Sequence, residues 1–285
     1  MTCAIPNITI DFSENLFIQS GPNVFNDWQR VTKEVLGCLI AGELMRMSFC
    51  SNALLLRKES PHKQLLLANY LLDTFKKPSI YARFSETTLF ATAWEFMRII
   101  NQRGLCTKMI YYYITSESSE FIPRILDECT EVTDLISIKA TFPDDFVYTP
   151  SRPFKVAVLR ISLTPTNWLN LQHFLSCREI SVSFSMSSNR DPQLFNTFFR
   201  NWLDSDSPLK RFLYFQRDIA FAPIINGLSN EGINEGFNNE WIEVKRRDGS
   251  EFVIGRDLNY IYIMTKHNHL EHMWRQEQFD PDDFE

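Results

Sequence analysis

The sequence has no CxxC pair, no G-x-x-x-x-G-K-[ST] phosphate loop, no G-x-S-x-G nucleophile turn and no H-E-x-x-H motif. Each absence removes a class of chemistry. Six cysteines stand scattered, so neither a zinc knuckle nor a thioredoxin-like redox pair is indicated. Phosphate-loop nucleotide hydrolysis, serine-hydrolase chemistry and zinc proteolysis lose their usual sequence support. Positive charge is short as well: 29 basic against 35 acidic residues leave a net charge of −6. Proteins that live on nucleic acid usually carry a basic excess to neutralise phosphates, so no nucleic-acid partner is expected. No apolar run reaches the roughly 18 residues of a membrane span. The opening "MTCAIPNITIDFSENLF" lacks the basic start and apolar core of a secretory leader. These features point to a reducing compartment, cytosol or nucleus, with free and mostly buried thiols. The sequon Asn7-Ile8-Thr9 is then read as chance.

What is abundant is apolar and aromatic material. The chain is 44% hydrophobic with 24 Phe, and holds only 9 Gly and 13 Pro in 285 residues, the profile of a packed protein and not of a disordered one. Short apolar runs alternate with helix-length amphipathic ones. Strands are expected at Ile8–Phe12, Leu44–Cys50, Ser79–Phe84, Lys108–Thr115, Val132–Lys139, Val156–Ser162, Glu179–Phe184 and Leu209–Phe215. "TLFATAWEFMRIINQRG" predicts a helix with Leu89, Ala93, Phe96 and Ile100 on one face and Gly104 as its stop. In "DPQLFNTFFRNWLDS", Asp191 suits the cap and Pro192 the first helical position, with Leu194, Phe198 and Trp202 lining one face. "TNWLNLQHFL" reads as a shorter helix capped by Thr166.

From the fourth strand onward a strand–helix unit recurs at roughly 22–32 residues, the range of leucine-rich and related repeats. "LKRFLYF" places Leu209, Phe212 and Tyr214 on an L-x-x-L-x-L skeleton, and "CREISVSF" echoes it with Ile180 and Val182. The expected fold is therefore α/β: repeated strand–helix units forming a curved, mostly parallel, leucine-rich-repeat-like sheet closed by a C-terminal β-hairpin. The alternative is a doubly wound sheet covered on both faces. Strand–helix units over 1–154 are expected to run continuously into a region at 155–265, followed by a polar, acidic tail at 266–285. "EWIEVKRRDGSEFVI", Glu240 to Ile254, reads as the hairpin, with Asp248-Gly249 at its turn, and "LNYIYIMT" as a further strand.

Clusters that could carry chemistry have plainer readings. Gly227, Gly232 and Gly236 lie among Asn and Glu, which repel phosphate, so they mark a loop. His267, His269 and His272 stand close together, with Glu271 among them, but lack an evident fourth ligand, and are read as part of an exposed polar tail. Cys177 follows His173 by one helical turn, yet sits at a helix–strand junction where a buried structural thiol is expected. Lys245, Arg246 and Arg247 mix with Glu243 and Glu251 as on a solvated strand edge.

The block running from "CREISVSF" through "DPQLFNTFFRNWLDSDSPLKRFLYF" to "EWIEVKRRDGSEFVI" resembles the F-box-associated type 2 domain of a large family of nematode F-box proteins. Leu194, Phe198, Trp202 and Leu203, then Pro208, Leu209 and Phe212, then the "RRDG" hairpin carry the resemblance, which spans Val156 to Ile254. It implies the substrate-recognition part of a cullin–RING ubiquitin ligase subunit, in which an F-box docks on the adaptor and the associated domain captures a target. This chain departs from that pattern near its start. "ITIDF" and "NVFNDWQRVTKEVLGCLI" read as a strand and then a helix over Asp27–Ala41, with Val31, Val35 and Cys38 or Leu36 on one face. No F-box is found there, so direct docking on the adaptor is not expected.

The sequence thus predicts a non-enzymatic protein-binding module, without cofactor or metal, that recognises an unknown target protein on a concave or edge surface. Trp241, Lys245, Arg246 and Arg247 are its candidate contact residues. The alternative function is an α/β enzyme with an active site of scattered residues; a nucleic-acid binder ranks third.

Overall fold

The computed structural model describes residues 7–21, 35–49, 52–115, 120–142, 146–164, 170–184, 191–215, 219–230, 232–236, 239–258 and 260–277. The chain divides into two compact units, Met1–Thr164 and Pro165–Glu285. Both are α/β, with mixed sheets.

The first unit contains β1 (Asn7–Phe12), β2 (Leu16–Ser20), β3 (Leu36–Ile40), β4 (Glu43–Phe49), β5 (Ala53–Leu56), α1 (Pro61–Thr74), β6 (Ser79–Phe84), α2 (Phe90–Gln102), β7 (Cys106–Tyr112), α3 (Phe121–Glu128), β8 (Leu135–Lys139) and β9 (Val158–Thr164). Across its sheet the strands lie in the order β9-β8-β7-β6-β1-β2-β5-β4-β3. From β9 to β1 every neighbouring pair is parallel. The links β1–β2, β3–β4 and β4–β5 are too short for crossovers, so those pairs are antiparallel, and β2 and β5 pair antiparallel as well. Strand alternation sends Ile8, Ile10 and Phe12 to the face where α2 packs. There the rings of Phe12 and Phe96 lie 4.9 Å apart, and those of Phe12 and Phe84 5.5 Å. Ala93, Phe96 and Ile100 form the buried stripe of α2 as expected, but Leu89 is 58% exposed, because it stands at the cap, outside the helix.

The second unit contains β10 (Glu179–Phe184), α4 (Pro192–Asp204), β11 (Arg211–Phe215), α5 (Phe221–Ile225), β12 (Asn234–Glu235), β13 (Asn239–Lys245), β14 (Glu251–Asp257), β15 (Tyr260–Thr265) and α6 (Lys266–Glu277). Its strands are ordered β12-β13-β14-β15-β11-β10. Only β10 and β11 run parallel; the other described pairs are antiparallel. A mostly parallel sheet is thus not what this unit builds. β15 returns beside β11 and places the β13–β14 hairpin beyond it, toward β12.

On α4 the Asp191 carboxylate accepts the Gln193 amide at 2.9 Å, the expected cap. The buried stripe is Phe195, Phe198, Phe199 and Trp202, whereas Leu194 is 53% exposed. Turning the helix to bury Leu194 would have exposed aromatic rings of greater apolar area. The Thr166 cap expected for the next shorter helix lies outside the described residues. That segment contributes a 3₁₀ turn at Leu171–Phe174, capped by Asn170.

In the turn of the β13–β14 hairpin, Gly249 has φ +85° while Asp248 stays at negative φ and accepts the Ser250 amide at 2.9 Å. Gly249→Val is expected to lower stability by about 1–2 kcal/mol, because a β-branched residue resists positive φ. Gly249→Asn should lose only a fraction of that. Urea unfolding of the two variants checks this, and equal losses would remove the positive-φ requirement.

Candidate interaction surfaces

The four residues expected to contact a partner fall into two groups. Arg246 is 7% exposed, its guanidinium lying 5.3 Å from the Trp202 ring centre and 5.9 Å from that of Phe252. It also donates to the Ser205 carbonyl at 2.5 Å. Its charge is thus spent on the unit's own α4 and β14. Trp241 is half-buried, with its ring 5.1 Å from that of His269. Lys245 and Arg247 remain on the surface, Lys245 in a shallow depression with Glu243 and Glu251. The structure does not gather the four into one contact surface.

The segment expected to be an exposed tail begins instead as α6, packed on β14 and β15. His269 is 3% exposed, and burial together with nearby His272 pushes its pKa below the usual histidine range. Exposed His267 pairs with Glu271 at 3.3 Å. Among the described residues no three His, Cys, Asp or Glu side chains converge as metal ligands. Cys177 is fully buried, and desolvation pushes its thiol up to about 12, far from a reactive thiolate.

A surface that the sequence reading missed lies at the outer edge of the first unit. The helix expected over Asp27–Ala41 falls partly outside the described residues, but Leu36–Ile40 within it is strand β3. Ala41 and Gly42 both take positive φ, 48° and 85°, and connect β3 to β4 as a tight two-residue hairpin. Two apolar runs around Ala-Gly were the available signal. β3 pairs with β4 alone among the described strands, so no described strand meets the amides and carbonyls on its other side. It reads Leu-Gly-Cys-Leu-Ile, with neither charge nor proline to protect that edge. Around it Val35 is 50% exposed, Leu36 49%, Leu39 74% and Leu44 57%. Leu39 and Leu44 face each other across the hairpin. Glu43 and Lys63, 4.0 Å apart, and exposed Arg46 supply a polar rim.

On the sheet face opposite α2, β1 carries a buried carboxylate. Asp11 is 3% exposed, its Oδ1 has no hydrogen-bond partner among the described residues, and Arg83 and Phe17 are its register neighbours. Desolvation raises its pKa from 3.8 to about 6, against the opposing pull of Arg83. Arg83 in turn lies 5.8 Å over the Tyr113 ring, and Tyr113 shares a 3.2 Å hydrogen bond with Ser137. A charge buried at such expense is a common mark of a functional surface, and equally of a structural pair.

No described helix is long and apolar enough to cross a membrane. No protein-family model, curated protein or solved structure matches the chain.

Proposed function

We propose that this chain is a protein-interaction module that captures a target protein by strand addition at β3, in the manner of the substrate-recognition part of an F-box ligase subunit. The observation that supports it is the β3 edge, with Leu36, Leu39 and Leu44 exposed on a strand whose outer side no described strand pairs. Exposed apolar residues rimmed by charge characterise interaction sites, and strand addition at such an edge draws affinity from main-chain hydrogen bonds. The occupant is an extended segment of the target carrying apolar side chains that meet Leu39 and Leu44. The parallel strands β6 to β9, with α2 and α3 between successive strands, are read as a short leucine-rich-repeat-like array that holds this edge in place. The resemblance to F-box-associated type 2 domains supplies the ligase context, and a reducing compartment is the setting.

A photo-crosslinking residue at position 39, with the adduct mapped by mass spectrometry, tests this. A heteromeric adduct on one extended target segment is expected, and Leu36→Lys should abolish it while leaving the fold intact, since exposed positions tolerate charge. Adducts only between copies of this chain, or adducts indifferent to Leu36→Lys, would overturn the reading.

A further inference from the structure

The second unit has a trough of about 390 Å³ that the edge of the first unit does not involve. Its floor is Leu213 of β11 with Tyr262 and Met264 of β15, and Asn268 and His272 of α6 form one wall. The floor residues share a face because Leu213 and Tyr262 are register partners and side chains alternate along both strands. α6 covers the side of β13, where His269 meets Trp241, and leaves the β11 side of the face open.

The polar groups of this trough are unevenly placed. Arg211 is exposed at the Met264 end, and among the described residues it has no ion-pair partner. Glu179 is aligned with it across β10, but the cation within 4.0 Å of Glu179 is Arg178. Asp257 sits at the other end opposite Tyr260, with His272 at 4.0 Å. Four residues of strand separate the ends, roughly 13 Å. Salt at physiological strength screens charges beyond about 8 Å, so Asp257 does little to neutralise Arg211. Between them the Tyr262 ring is 3% exposed, and its hydroxyl lies over Gly255 of β14, away from the trough.

We infer that this trough binds a small amphipathic acid, with its apolar body on Leu213, Tyr262 and Met264 and its carboxylate on Arg211. The volume is that of a small-molecule site, and such sites combine an apolar lining with a few placed polar groups. The Arg211 guanidinium takes the carboxylate in a charge-assisted pair.

Calorimetric titration of the full chain with 3-phenylpropionate and, separately, its neutral amide tests this. The acid is expected to bind saturably and at least about tenfold more tightly than the amide. Arg211→Gln should bring the acid down to the level of the amide. Leu213→Trp, which fills the trough from a partly exposed position, should remove both, with circular dichroism confirming that each variant is folded. No saturable binding up to about 10 mM, equal affinity for acid and amide, or binding indifferent to Leu213→Trp would each overturn the inference.

Discussion

Trp202→Ala is expected to destabilise the protein by about 3–5 kcal/mol, the cost of removing a fully buried aromatic side chain. Trp202 is 0% exposed and meets Phe252 edge-on at 5.0 Å, so it joins α4 to β14. Its indole N–H donates to the Leu209 carbonyl at 3.2 Å, and the substitution leaves that acceptor unpaired in the core. It also removes the ring under the Arg246 guanidinium, leaving a buried cation with less compensation. Against a typical stability of about 5–15 kcal/mol, the soluble yield should fall sharply. Leu194→Ala is the control. That side chain is 53% exposed, and its loss should change stability by no more than about 0.5 kcal/mol. Thermal melts of the pair check which stripe of α4 is buried. Equal shifts would show that the stripe has been assigned to the wrong face.

Asp11→Asn should stabilise the protein at neutral pH and do little near pH 4. The folded-state pKa of Asp11, about 6, lies above the 3.8 of a free aspartate. Between those values the folded state holds a proton that the unfolded chain has already lost. Stability therefore falls as pH rises from about 4 to 6, by roughly 1.4 kcal/mol for each unit of difference. A difference of about two units makes the full effect about 3 kcal/mol, the pull of Arg83 on the ionised form being already contained in that pKa. Denaturant unfolding at pH 4 and pH 7.5 measures it. The parent should be the less stable of the two at pH 7.5, and the variant should lose most of the pH slope. A variant less stable than the parent at pH 7.5 would mean that the Asp11–Arg83 pair outweighs the desolvation of the carboxylate.

Local chemistry was legible in the sequence wherever one residue type has one strong preference. Ser79–Phe84 and Glu179–Phe184 are strands at their expected ends, and Asp191 caps α4 with Pro192 behind it, because β-branched and aromatic runs and capping carboxylates act within a few residues. The candidate surfaces were less so. Leu36–Ile40 has a helix-compatible apolar spacing, and only its pairing with β4 across the Ala41-Gly42 turn makes it a strand. Arg246 and Lys245 look alike as charges in a hairpin. Arg246 lies over the Trp202 ring and Lys245 in solvent, a distinction set by which way the chain at the end of β13 faces α4. His269 reads as a residue of a polar tail until α6 presses it against Trp241 and Tyr262. By itself, then, the sequence determined the class, most of the strands and the Asp191 cap of α4. Only the tertiary structure decided which edge stays open, which cation is buried and where the trough lies, since each depends on groups far apart in the chain meeting across a sheet.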